Sequence, residues 1–254
     1  MPLNTPIRDW KNKRVWIIGA STGIGAALAD LLAERGAHLA LSARNRERLE
    51  RVARRYPGCV ALPLDLTEPH TLLPSVLQLL DIWGGLDMVV LSAGTYAPLR
   101  AGDLTIEGAR QTIETNLMGV INGTAAVLPQ LLQQGEGAIA IVGSAAGYRG
   151  VPKALAYGAA KAAVINFAEA LHHDLASTGV SVFLVNPGFA ENPAASGSKA
   201  ELEPTAREAA EHILEGIARG RFEIHFARLT YVLKFLRFLP ERIYARAVRR
   251  VASS

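Results

Sequence analysis

The chain has 254 residues, half of them hydrophobic and a fifth charged, with a formal net charge of +4. That length and balance suit one large globular α/β domain and exclude a disordered chain. With Cys59 as the only cysteine, an internal disulfide and a cysteine-rich metal site are excluded too, and a reducing compartment is the natural reading.

The apolar run from Arg14 to Gly19 predicts a buried strand, followed by a helix from about Gly23 to Arg35 that stops at Gly36. Residues 37–42 form the second strand and 45–55 the second helix. Cys59 to Pro63 is the third strand, 67–82 a helix, and Leu86 to Leu91 the fourth strand. A long helix at 108–133 leads to the strand 138–142, and a helix at 155–178 to the strand 180–185. Strands that read as continuous apolar runs separated by helices indicate a parallel sheet covered on both faces. With right-handed crossovers the expected fold is a doubly wound, Rossmann-type α/β sheet over residues 1–226, with a C-terminal helical extension at 227–254.

Gly19-Ala-Ser21-Thr22-Gly23-Ile24-Gly25 lies between the first strand and first helix, where a dinucleotide pyrophosphate would meet the helix N-terminus. Glycine at 19 allows the tight turn, glycine at 23 lets the backbone approach a cofactor, and glycine at 25 lets helix and strand pack. The residue after the second strand selects the cofactor. A carboxylate there would bind the ribose 2′-hydroxyl of NAD, but the chain has Ala43-Arg44 and no acid before Glu47. Arg44 can pair with a 2′-phosphate instead, which favours NADP(H) over NAD(H).

Tyr157 and Lys161 stand four residues apart within the helix at 155–178, and so on one face of it, thirteen positions after Ser144. A phenol ordinarily titrates near pH ~10, and a nearby ammonium favours its phenolate. A serine hydroxyl at the end of a neighbouring strand could then hold a substrate oxygen beside that phenol.

Together with Asn186-Pro187-Gly188, these features resemble the short-chain dehydrogenase/reductase family in its compact single-domain branch, from about Val15 to Gly188 and more loosely to about Phe226. The resemblance implies a nicotinamide cofactor and oxidation or reduction at a carbinol or carbonyl carbon. It makes Asn116, Ser144, Tyr157 and Lys161 the catalytic set, with the Asn116 backbone helping to hold a water beside the lysine. It adds Asp65 and Leu66 at the adenine, Ser92, Ala93 and Gly94 after the fourth strand, and Pro187, Gly188 and Asn192 as cofactor contacts. Three positions depart from the pattern: Ile18 replaces a common threonine, Leu91-Ser92 a more usual asparagine pair, and Asn192 the threonine that commonly bonds the carboxamide. None touches the proton-transfer set.

The substrate is expected to be a small carbonyl or alcohol compound, fairly apolar, held by the loops 94–103, 145–153 and 189–204. These loops offer Tyr96, Tyr148, Val151 and Phe189, with Arg100 and Arg149 as the charged exceptions. The histidines at 38, 70, 172, 173, 212 and 225 show no ligand spacing, so no metal is expected. Seven basic residues and one acid between Arg228 and Arg250 give the tail +6 and leave −2 elsewhere, which argues against a nucleic-acid partner. Leu229, Val232, Leu233, Leu236, Leu239, Ile243, Ala247 and Val251 follow helical spacing around Pro240. The tail can be read as a lid on the substrate pocket, as a subunit interface, or as a basic amphipathic helix on an anionic membrane surface. The resemblance implies a homodimer or homotetramer built on the helices at 108–133 and 155–178. The polar segment ahead of Arg14 leaves no room for a signal peptide, so a cytoplasmic location is expected, membrane-peripheral if the tail binds lipid. The competing functional class is a catalytically silent, NADP(H)-sensing regulatory protein, against which the complete four-residue set argues.

Overall fold

Strands with no polar face must be covered on both sides, and the computed structural model shows how this chain covers them. It describes residues 3–187, 205–225, 234–235 and 238–245. In order along the chain are β1 (Arg14–Ile18), α1 (Gly23–Glu34), β2 (His38–Ser42), α2 (Arg46–Ala53), β3 (Val60–Ala61), α3 (Leu72–Trp83) and β4 (Met88–Leu91). There follow α4 (Ile106–Ile113), α5 (Gly119–Gln134), β5 (Gly137–Val142), α6 (Leu155–Asp174), β6 (Val180–Val185), α7 (Ala206–Ala218) and β7 (Glu223–Ile224). The strands form one parallel sheet in the order β3-β2-β1-β4-β5-β6-β7, as the doubly wound reading requires.

Alternate residues of each strand feed two separate cores. Val15, Ile17, Leu39, Leu41, Val90 and Phe183 pack on one face with α1 and α7. Trp16, Ile18, Val89, Leu91, Ile139 and Leu184 pack on the other with α3, α5 and α6. Each fully buried aliphatic side chain contributes on the order of 1.5–3 kcal/mol. The order reverses between β1 and β4, so a crevice opens at the carboxyl ends of these strands.

Several boundaries differ from expectation for local reasons. The helix expected from 67 starts at Leu72, because the Asp65 carboxylate accepts from both the amide and hydroxyl of Thr67 and holds a turn there. A 3₁₀ turn at Pro69–Thr71 follows. The expected helix at 155–178 ends at Asp174. The one at 108–133 spans Ile106 to Gln134 but is interrupted by a π-helical turn at Glu114–Met118. Past β6 the structure has α7 and β7, two elements the sequence reading leaves unassigned. The start of α7 carried a readable signal, a capping box in which Thr205 and Glu208 bond reciprocally. Two-residue β7 carried none. Among the described residues no helix is long and apolar enough to cross a membrane.

Asp87 ties the start of β4 to the start of β1. Its carboxylate accepts from the Arg14 amide at 2.8 Å and the Arg14 guanidinium at 2.7 Å, with Lys13 at 3.4 Å. Burial alone would raise the Asp87 pKa, but the bonds from Arg14 and the charge of Lys13 outweigh it and hold it below the ordinary carboxylate value. A depressed folded-state pKa means the stabilisation is complete above the ordinary carboxylate range and is lost as pH falls through the folded value. Asp87→Asn is therefore expected to cost about 1.5–3 kcal/mol at neutral pH. In urea melts from pH 7 down to pH 3 that gap should shrink towards zero; a gap independent of pH would refute the assignment.

Candidate active site

The first half of the site is a backbone junction. A Cβ on Gly19, where φ is +100°, would lie 2.5 Å from the Ala93 nitrogen, and one on Gly25 would lie 2.2 Å from the Gly19 oxygen. The turn after β1, the start of α1 and the end of β4 therefore touch at distances only glycine permits. The Ser92 hydroxyl reinforces the junction by donating to the Gly19 carbonyl at 3.3 Å. Gly23 behaves differently: its φ is +59°, and a Cβ there would meet nothing within 4 Å. That open space belongs to a cavity of about 480 Å³.

Gly23, Ile24 and Gly25 line this cavity as the first turn of α1, whose N–H groups have no intrahelical acceptors. Thr22, the N-cap, makes no side-chain cap bond, so the helix end is left to an external anion. Gly19 and Ser21 border the same space. An unfilled left-handed glycine beside a helix N-terminus fits the pyrophosphate of a dinucleotide. Further along the wall come Arg44, Asn45 and Arg48. The Asn45 side chain accepts from the Arg48 amide at 2.8 Å, which starts α2 there and brings Arg48 one turn beyond Arg44. Arg48 is absent from the sequence reading, and its place on the wall depends on where α2 starts. Asp65, Leu66, Ser92, Ala93 and Gly94 complete this half.

The other half brings Asn116, Ser144, Tyr157 and Lys161 to the same cavity, together with Thr95, Tyr96 and Pro187. Lys161 is buried, and its ammonium donates to the Val142 carbonyl at 2.8 Å. It lies 5.8 Å from the centre of the Tyr157 ring. Tyr96 meets Tyr157 edge to face, with ring centres 4.8 Å apart and planes at 68°. Burial pushes the Tyr96 phenol above its ordinary pKa. Ser144 opens a 3₁₀ turn at Ala145–Gly147, and its hydroxyl oxygen accepts from the Ala146 amide at 3.2 Å. Because that oxygen is used as an acceptor, the hydroxyl proton is left to be donated to a ligand. Gly147 allows the turn to sit on α6, since a Cβ would lie 2.6 Å from the Lys161 carbonyl carbon.

Asn116 sits in the middle of the π turn and is fully buried. Its side-chain oxygen accepts from the Thr95 amide at 3.2 Å, and its amide donates to the carbonyls of Thr95 at 2.9 Å and Thr112 at 3.0 Å. The side chain therefore acts as a brace between the helix and the loop after β4. A π turn widens the helix and breaks its regular ladder, a feature that recurs at functional sites.

Four of the residues expected at substrate do not line the cavity: Arg100, Tyr148, Arg149 and Val151. The Tyr148 hydroxyl donates to Glu223, and Arg149 binds the tail, donating to the Leu239 carbonyl at 2.8 Å and to Glu241 at 2.6 Å. The Arg149 guanidinium also lies over the Tyr244 ring, 3.9 Å from its centre. Arg149 is therefore engaged by the tail. Gly188, Phe189 and Asn192 lie outside the described residues.

A family model described as short chain dehydrogenase matches residues 13–203. An uncharacterised oxidoreductase of Myxococcus xanthus is 34% identical over 242 residues, covering 92% of this chain and 96% of that protein. An uncharacterised oxidoreductase of Staphylococcus aureus is 30% identical over 211 residues, covering 81% and 90%. Among solved structures, a short-chain dehydrogenase/reductase from Burkholderia phymatum in complex with NAD superposes with a TM-score of 0.84 at 22% identity, covering 91% of this chain and 94% of that one. The apo form of LigD from Sphingobium gives 0.82 at 23% identity, covering 91% and 96%. At these identities the two structures speak to the fold.

The glycines support a contrast. Gly23→Ala adds a methyl group to open space and incurs about 1–2 kcal/mol of left-handed strain, so the fold should survive while dinucleotide affinity falls at least about tenfold. Gly25→Ala drives a methyl into the Gly19 carbonyl and should lower the melting temperature much further. Thermal melts and fluorescence titration with NADPH check both; wild-type affinity in Gly23→Ala would sink the pyrophosphate assignment.

Proposed function

The chain belongs to the short-chain dehydrogenase/reductase family of oxidoreductases, and on that premise we propose that it interconverts a carbonyl and a secondary alcohol using NADP(H), with Tyr157 as the acid/base. The observation that carries the reading is a single cavity bordered by the glycine turn and two arginines at one end and by Asn116, Ser144, Tyr157 and Lys161 at the other.

The dinucleotide would be held by Gly19, Ser21, Thr22 and the first turn of α1, by Asp65 and Leu66, and by Ser92 to Gly94. Arg44 and Arg48 offer two guanidinium groups to a 2′-phosphate, and the sequence has no acid between β2 and Glu47. When bound, the cofactor supplies or accepts the hydride. In the reducing direction Ser144 donates its hydroxyl proton in a hydrogen bond to the substrate oxygen and stabilises the charge developing there. Tyr157 transfers its phenolic proton to the same oxygen. The buried Lys161 ammonium would stabilise the resulting phenolate electrostatically and would hold the nicotinamide ribose. A water held by the backbone at Asn116 returns the proton.

A fairly apolar substrate is supported by Tyr96, Val142 and Pro187, which border the cavity beside the polar Thr95, Thr115, Asn116 and Ser144. Arg149, one of the two cations expected to grip an anion, is engaged by the tail.

NADPH consumption across a panel of ketones, steroids and acyl thioesters tests the reading; no turnover on any of them would overturn it. Tyr157→Phe is expected to reduce turnover by at least about 10³-fold with NADPH binding retained. Arg44→Asp should reverse the preference from NADPH to NADH. Equal use of both cofactors by the wild type would refute the 2′-phosphate assignment.

A further inference from the structure

Glu223 is a charged side chain in the sheet that the proposed chemistry does not use. It sits on β7, paired with Leu184, and its side chain is only 17% exposed. Taking a carboxylate out of water is costly unless it is paired and hydrogen-bonded. Glu223 meets that demand with three donors from three separate segments. One carboxylate oxygen accepts from the Tyr148 hydroxyl and from the Asn186 amide at 3.0 Å, and the other accepts from the Lys234 ammonium. Burial would raise its pKa, but the three donors outweigh burial and hold the value below the ordinary one.

Two of the donors flank the candidate active site. Tyr148 is buried and closes the 3₁₀ turn that Ser144 opens. Asn186 is fully buried and immediately precedes Pro187, which borders the cavity and whose carbonyl accepts from the Ala145 amide at 3.1 Å. Lys234 belongs to the tail. The same turn is held again just downstream. Arg149 binds Leu239 and Glu241, and the Tyr244 hydroxyl donates to the Gly150 carbonyl at 2.6 Å.

We propose that Glu223 is a positioning residue: its carboxylate clamps Tyr148, Asn186 and Lys234 together and so fixes the turn that presents the Ser144 hydroxyl to substrate. The described part of the tail, at Lys234 and from Leu239 to Tyr244, is then a strap on that turn. Its contribution to the reaction runs through Glu223 and Arg149. This inference rests on the reading of Ser144 as the donor to the substrate oxygen.

The test uses the 254-residue chain as wild type, Glu223→Gln, Glu223→Ala, Tyr148→Phe and the double variant Glu223→Ala/Tyr148→Phe. Hydrogen exchange is followed at peptides covering residues 144–150 and, as a control, 23–34; kcat, KM and the NADPH dissociation constant are measured well below the melting temperature. In Glu223→Ala, exchange at 144–150 should rise while 23–34 stays at the wild-type rate. Its kcat should fall by about tenfold or more, within the range for a group displaced by an ångström or less, with the NADPH dissociation constant within about twofold of wild type. Glu223→Gln keeps an acceptor oxygen and should lose less. The double variant should be no worse in kcat than Glu223→Ala alone, because alanine at 223 already removes the acceptor of the Tyr148 hydroxyl.

Unchanged exchange at 144–150 in both Glu223 variants would overturn the clamp. Faster exchange with unchanged kcat, or additive losses in the double variant, would overturn the positioning role and leave an ordinary structural ion pair. If Glu223→Ala does not fold, Glu223→Gln and Tyr148→Phe decide by the same criteria. Full turnover by Tyr157→Phe would instead overturn the reading of the catalytic set, an outcome the exchange measurements do not depend on.

Discussion

At the head of the cavity three stretches of backbone meet with no space for a side chain between them. The turn after β1 lies against the end of β4 at Gly19, and the first turn of α1 lies against that turn at Gly25. A parallel sheet brings the carboxyl ends of all its strands to one side. This contact between β1 and β4, the pair at which strand order reverses, therefore sets where the crevice opens. It also aims the N-terminus of α1 into the crevice and leaves Gly23 facing open space. The second half of the site, presented from the end of β5, the π turn between α4 and α5, and α6, is located relative to that junction.

Polar groups in the second half are held by backbone partners, which suits a site that must not reorganise during reaction. Lys161 is anchored on Val142, Asn116 on Thr95 and Thr112, and Ser144 on its own turn. A buried polar atom left unbonded costs about 1–3 kcal/mol, so these bonds restrict each side chain to one arrangement. The π turn at Glu114–Met118 belongs to the same design. It lets a buried asparagine brace the loop after β4 without ending the helix.

Much of this was legible along the chain because it is written in local patterns. Six of the seven strands appear as apolar runs, the glycine turn has its spacing, and Tyr157 and Lys161 have theirs. What escaped has no local pattern. β7 is two residues long, too short for any periodicity to register. The π turn looks like ordinary helix, since Glu-Thr-Asn-Leu-Met carries no breaker. Arg48 escaped because its place on the cavity wall with Arg44 depends on the start of α2 at Arg46, capped by Asn45. Tyr148 and Arg149 were expected to face substrate because they stand in a loop at the carboxyl end of a strand. Their actual partners, Glu223 and Glu241, lie 75 and 92 residues further on, and such pairings cannot be read from either end alone.

The sequence by itself determined the parallel sheet and the spacings of the glycine turn and of Tyr157 and Lys161, because periodicity and short spacings act within a strand or a helical turn. Only the tertiary structure decided which faces of the loop after β5 look into the cavity and which are bound by β7 and the tail. Those choices depend on charged and aromatic side chains finding partners far along the chain. Such partners become neighbours only after the sheet has closed.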